Sequence, residues 1–225
     1  MEFARACGAM VPSTGLFRVD EAPGVPDAFR DSGAEFFYTI HRFDRRGGER
    51  IHIEDMNQVL NQRAAEKYRG TSVEALGRLF GRLCGRLDAE EYIRRTIINI
   101  VLGNEDAHLK NWSLIYPDGI SPRLAPLYDC LSTVMVPGLV REHALRFGHE
   151  KLASHYGRDL LVSLGEAMNI PEATVDSIYH NVIRGARIAE PVLRDQSPLT
   201  GEEWGRLDRY RGAVPLARPL LQGSI

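Results

Sequence analysis

A chain of 225 residues with 44% hydrophobic content has enough apolar side chains to bury a proper core, as one large domain or two unequal ones. Its 28 Lys and Arg stand against 30 Asp and Glu, a formal net charge of -2, so no general field draws it to nucleic acid or to an anionic membrane, and any phosphate recognition must be local. Cys7, Cys84 and Cys130 are odd in number, widely spaced and without a CxxC pair, which reads as a reducing, cytoplasmic setting; no apolar stretch reaches the roughly 20 residues of a membrane span, and MEFARACGAMVP lacks a basic region followed by an apolar core.

In chain order, the pattern predicts a short helix over residues 2–10 ending near Gly8, then strands over residues 16–19 and 35–40, joined by the Pro/Gly/Asp-rich loop EAPGVPDAFRDSGA. The second strand runs into His41-Arg42-Phe43-Asp44-Arg45 and a turn at Gly47-Gly48, where strand composition stops and a boundary is placed. Helical spacing follows, first over residues 54–62. Thr71 and Glu74 have the spacing of a capping box, with Val73, Leu76, Phe80 and Leu83 on one face of the helix it opens. A further helix over residues 89–102 is apolar around most of its last two turns, which predicts burial, and Gly103 stops it. A hairpin is expected around Trp112 to Ile115 with its turn at Pro117-Asp118-Gly119. Three helical patterns close the chain, over residues 159–168, 171–194 and 200–211, the last with the capping-box pair Thr200 and Glu203.

The segment GNEDAHLKN, residues 103–111, followed by LAPLYD, residues 124–129, sets ionisable side chains directly after the most apolar helix, so they start from a rigid base. Asp106 and Asn111 are separated by four residues, and Asp129 lies 18 positions further on. Phosphoryl transfer needs a carboxylate that accepts a hydrogen bond from the attacking hydroxyl and oxygen ligands that hold Mg²⁺ against the phosphates. Asp106 suits the first role; Asn111 and Asp129 suit the second, as a neutral and a charged oxygen donor. Lys110 is placed to neutralise charge on the phosphoryl group in flight, and His108 to orient the loop or contact a phosphate.

The joint pattern resembles the HipA-like toxin kinases, whose catalytic segment reads much like IGNxDxHxKNxS, then a short hairpin and LxPxYD. This chain has LGNEDAHLKNWSL and RLAPLYD. RFDR, residues 42–45, resembles the family hinge, IEDMNQVLNQRAAEKY its following helix and K-Y segment, and ALRFG with Lys151 a weaker downstream pattern. The resemblance implies that Asp106 is the catalytic aspartate and that His108, Leu109, Lys110 and Asn111 lie at the nucleotide phosphates. It implies that Tyr128-Asp129 carries the second metal ligand, and that the hinge, His41, Arg42 and Phe43, meets adenine through its backbone and the phenylalanine ring. ATP and Mg²⁺ are the cofactors so implied, a protein serine or threonine the acceptor, and a DNA-binding, HipB-like antitoxin the partner that restrains family members; no direct contact of this chain with nucleic acid or membrane is expected.

A complete family member also carries, before the hinge, a glycine-rich phosphate loop and a strand lysine, and neither is found here. The first residues resemble instead the family helix that bears an acidic residue, Glu2 in this chain. The expected architecture is therefore α+β: a truncated N-lobe remnant of a helix and two strands over residues 1–45, and a mostly helical, kinase-like C-lobe over residues 46–225 with a catalytic β-hairpin. Losing contacts that position the β and γ phosphates can cost on the order of a hundredfold in rate for about 1 Å of misplacement. Two functions follow: a Ser/Thr kinase lobe completed by a separate N-lobe polypeptide or inactive alone, and a pseudokinase-type interaction module that binds an antitoxin or kinase partner. The missing sheet should leave an exposed Leu/Phe/Tyr surface near residues 16–40. His41, His52, His143, His149, His155 and His180 share no zinc-site spacing, Cys130 has no histidine base beside it, and Trp112 and Trp204 read as core.

Overall fold

The computed structural model describes residues 1–21, 24, 26, 33–68, 70–139 and 142–222; the loop expected over residues 21–34 falls largely outside them. The architecture is α+β. Helix α1 (Glu2–Ala6) leads into an antiparallel hairpin, β1 (Thr14–Arg18) with β2 (Phe36–Ile40), in which Leu16 faces Tyr38 and Phe17 faces Phe37. A second small hairpin, β3 (Arg45–Arg46) with β4 (Glu49–Arg50), is followed by β5 (His52–Asp55) and the short helix α2 (Met56–Val59).

Strand composition therefore does not stop at Gly48, and residues 54–62 are not one helix. Glu54 and Asp55 are strand residues whose partners, Leu114 and Ser113, lie far along the chain. The helix begins only after Asp55, whose side chain accepts from the Gln58 amide while Gln58 returns the bond to the Asp55 N–H. The expected hairpin forms between β6 (Ser113–Tyr116) and β7 (Arg123–Leu124), and β5 adds to its other edge, making a three-stranded sheet in the order β5-β6-β7.

The core is built on α4 (Arg86–Leu102), where Tyr92, Ile93, Ile97, Ile98 and Val101 are fully buried. It starts three residues earlier than the apolar pattern suggested, because its first turn is polar and Gly85, at φ 84°, turns the chain out of α3 (Val73–Cys84). The capping box expected at Thr71 is also displaced. Ser72 caps α3 by accepting from the Ala75 amide, and Glu74 instead accepts at 2.6 Å from the Gly148 amide, tying the helix start to the ALRFG segment. Trp112 packs on Tyr92 with ring centroids 4.7 Å apart, which fits its core assignment.

Helices α5 (Arg158–Ala167), α6 (Glu172–Gln196) and α7 (Gly201–Ala213) complete the fold. The Thr200–Glu203 capping box forms as expected, with both reciprocal bonds present. The three cysteines are unpaired. Among the described residues no helix is long and apolar enough to cross a membrane.

Candidate functional site

Helix α4 ends at Gly103, whose left-handed backbone (φ 68°, ψ 40°) also lets Val134 press against it, so a side chain there would be strained twice over. The next residue, Asn104, is 1% exposed and holds the site together. Its Nδ2 donates to Asn99 Oδ1 at 2.8 Å and, at 3.5 Å, to the Asp129 carbonyl, while its Oδ1 accepts from the Asp106 amide at 3.2 Å. One buried amide thus fixes Asp106 and Asp129 relative to the central helix. Asn111 closes the loop from the other side, its Nδ2 donating to the Asp106 carbonyl at 3.1 Å and its own amide to the His108 carbonyl at 2.9 Å.

Two adjacent residues from the segment after α2 grip this loop. Lys67 Nζ lies 2.7 Å from His108 Nε2, the Lys67 carbonyl accepts from the Leu109 amide, and the Tyr68 hydroxyl donates to Asp106 Oδ1 at 3.0 Å. Burial and the neighbouring Lys67 ammonium push the His108 ring below its ordinary pKa, against the pull of the Asp106 and Asp129 carboxylates. A neutral His108 accepting from the ammonium at Nε2 carries its proton on Nδ1, which is buried without a partner among the described residues.

The hinge residues line a separate cleft of about 310 Å³, together with Asp44, Asp55, Lys110, Ser113 and Tyr128, at the lower end of the size range of small-molecule sites. Phe43 and Tyr128 meet ring to ring at 5.7 Å. The Tyr128 hydroxyl donates to the Lys110 carbonyl at 2.7 Å and accepts from Ser113, so the end of LAPLYD is bolted to the loop that carries Lys110 and Asn111. Arg42 is committed elsewhere: with Arg45 it pairs with the buried Asp44, and the Arg42 guanidinium holds that carboxyl down at about 2. Its side chain thereby ties residues 42–45 together at the edge of the cleft.

Asp129 is exposed, has a left-handed φ of 52°, and its carboxylate has neither a hydrogen bond nor an ion pair among the described residues. Asn111 Oδ1 likewise accepts no hydrogen bond there, and Lys110 is exposed. Oxygen donors of these two kinds, one charged and one neutral, are of the chemical type that a hard cation retaining several waters accepts. Among the described residues no group of three His, Cys, Asp or Glu could hold a metal by itself. Leu109 is fully buried and can offer a ligand only its backbone.

Of the residues singled out in sequence, His41, Arg42, Phe43, Lys110 and Tyr128 share the cleft, while Asp106, His108 and Asn111 form the loop beside it. Asp129 borders a different, largely apolar cavity of about 580 Å³. Sequence reasoning passed over Asn104, Lys67, Tyr68 and Ser113 as site residues, although all four stand inside the quoted GN, KY and KNxS patterns.

Comparison with known proteins bears on the family and the fold. Residues 1–189 match the family model of the HipA-like C-terminal domain. Two proteins of Sinorhizobium fredii, Y4dM and Y4mE, each provisionally named a kinase, are 31% and 37% identical over 97% and 92% of this chain. The chain spans about half the length of these relatives, 53% and 51%. Among solved structures, HipA of Shewanella oneidensis, determined with HipB and operator DNA, superposes with a TM-score of 0.75 at 21% identity, over 98% of this chain and 53% of its own. The Helicobacter pylori kinase CtkA does so with a TM-score of 0.54 at 12% identity, over 97% of this chain and 80% of its own. These likenesses show the fold, an α+β arrangement with a kinase-like C-lobe. With the family model covering residues 1–189, most of the chain, the chain belongs to the HipA-like C-terminal domain family.

Proposed function

We propose that this chain is the catalytic lobe of an ATP- and Mg²⁺-dependent Ser/Thr protein kinase, with residues 1–45 as its N-lobe part and residues 46–225 as its C-lobe. The observation that carries the reading is the buried Asn104 side chain, which reaches both the Asp106 amide and the Asp129 carbonyl. Asp106 would accept the proton of the attacking hydroxyl as the new oxygen–phosphorus bond forms and the bond to the ADP oxygen breaks. Lys110 would meet the charge spread over the transferring group, and the Phe43 ring and hinge backbone would hold the adenine. Asn111 and Asp129 would hold Mg²⁺, which when bound draws the phosphate oxygens together and neutralises their charge. The test is titration calorimetry with ATP and Mg²⁺, and transfer of labelled γ-phosphate to protein, on the chain alone and with any polypeptide encoded beside it. Binding lost in Asp129→Ala and transfer lost in Asp106→Ala are expected; the absence of both activities from the wild type sinks the reading.

One observation favours a second reading, a module that binds a protein partner. Leu16, Phe17 and Tyr38 are each about half exposed, on both faces of the β1–β2 hairpin, as expected of a sheet fragment made to be covered. A HipB-like antitoxin or a separate N-lobe polypeptide is the partner proposed. Binding that survives Asp106→Ala and Asp129→Ala but is lost in a Leu16→Ser, Tyr38→Ser double variant supports this reading, and binding indifferent to the hairpin ends it.

A further inference from the structure

Asp106 has two carboxylate oxygens, and the structure treats them differently. Oδ1 accepts from the Tyr68 hydroxyl at 3.0 Å, and Oδ2 accepts nothing among the described residues. Tyr68 is 42% exposed, so its hydroxyl is not held there by burial. It is held by its ring: the Lys67 ammonium lies 4.8 Å from the ring centroid, and His108 meets the ring edge-on at 5.3 Å. Lys67 is in turn anchored on His108 Nε2, and its carbonyl on the Leu109 amide. Tyr68 thus rests on a platform made from the very loop whose aspartate it touches.

We propose that Tyr68 is the positioning residue for Asp106, locking its carboxylate through Oδ1 so that Oδ2 faces the substrate hydroxyl as the proton-accepting oxygen. The inference deepens the kinase reading and rests on it for the role of Oδ2. The physical ground is general. An aspartate on a loop turns freely about χ1 and χ2 unless something holds it, its backbone bonds to Asn104 and Asn111 fix only the main chain, and a reacting group misplaced by about 1 Å loses on the order of a hundredfold in rate. Tyr68 supplies the only hydrogen bond to this carboxylate among the described residues. The proton taken from the hydroxyl ends on Oδ2, and no electron leaves or enters the site.

Tyr68→Phe removes the hydroxyl and keeps the ring on its platform, so the fold is retained. The first readout needs no activity: three-bond Hα–Hβ couplings of Asp106 in the isotope-labelled full chain. A single χ1 rotamer is expected in the wild type, and couplings averaged over several rotamers in Tyr68→Phe. The second readout is kinetic, where kcat should fall about tenfold to a hundredfold while KM for ATP stays put, since Tyr68 borders neither the hinge nor its cleft. A single Asp106 rotamer in a wild-type chain that transfers no phosphate, averaged in Tyr68→Phe, would remove the kinase reading and leave the positioning intact, whereas averaged couplings in the wild type overturn the proposal. An unchanged rotamer in Tyr68→Phe, or averaged couplings with unchanged kcat in an active enzyme, overturns the proposal.

Discussion

The ring of Tyr128 lies 5.7 Å from that of Phe43, tilted by 34°, so that the hinge and the end of the LAPLYD segment share one wall of the 310 Å³ cleft. Neither residue is fully buried, and the pair therefore exists for the face it presents. Phe43→Ala removes half of that wall without opening the core. A ring pair of this kind contributes about 0.5–1.5 kcal/mol beyond its area. ADP or ATP affinity measured by titration calorimetry should weaken about three- to tenfold, with the melting temperature nearly unchanged.

Asn104→Ala tests whether the site is held from inside. The substitution deletes the bonds to Asn99, Asp106 and Asp129 in one step and leaves the Asn99 oxygen and the Asp106 amide without this partner. The cost in stability should be about 2–4 kcal/mol, from the buried polar groups left unpaired. Phosphate transfer and metal-nucleotide binding should both fall, because Asp106 and Asp129 each lose an anchor while Asn111 keeps its own. Chemical denaturation and a transfer assay read the two effects separately.

Glu105 contributes a pH dependence whose sign can be worked out. Its side chain is buried, Oε2 has no partner among the described residues, and burial pushes the carboxyl from 4.5 up to about 7. Between these values the folded state holds the proton more tightly than the unfolded chain, so stability falls as pH rises through that window and stays lower above about 7. Glu105→Gln should therefore match the wild type near pH 4.5 and exceed it by about 3 kcal/mol at roughly pH 8. Thermal melts across that range check it; equal melting shifts at both ends would contradict it.

Glu190 carries two cations, Arg194 and the fully buried Arg211, which also donates to the Val101 carbonyl at 2.9 Å. Glu190→Gln leaves the buried guanidinium uncompensated and should cost about 3–5 kcal/mol. Adding Arg211→Met to that variant removes the stranded charge and should recover part of the loss. A double-mutant cycle by urea denaturation measures the coupling; strictly additive losses would show that Glu190 does not neutralise Arg211.

The pair Thr200 and Glu203 could be read from sequence because both halves of a capping box lie within one turn. The same rule applied at Thr71 missed by one residue, since Ser72 took the cap and Glu74 was drawn to the Gly148 amide, a competitor that no local window contains. Glu54 and Asp55 were assigned to a helix for a similar reason. Their side-chain pattern fits a helix start, but the backbone is claimed by Leu114 and Ser113 across the sheet. Among the candidate site residues, Asp106, Asn111 and Asp129 are picked out by type and spacing alone. Lys67 and Tyr68 stood in plain view as a KY pair, yet nothing local shows that they close on a loop about 40 residues away.

What the amino-acid order alone decided here is chemical and short in range: the helix whose last turns are apolar all round, the glycine that stops it, the polar groups that follow at fixed spacing, and the family these features mark. Those depend on side-chain identity and on backbone geometry within a turn or two. Which oxygen of Asp106 takes the Tyr68 hydroxyl, that Arg42 spends its charge on Asp44, that Asn104 joins two aspartates, and that Phe43 meets Tyr128 were decided by folding. Each is a choice among several partners able to bond equally well, and only the packing of remote segments around α4 brings one of them within reach and removes the rest.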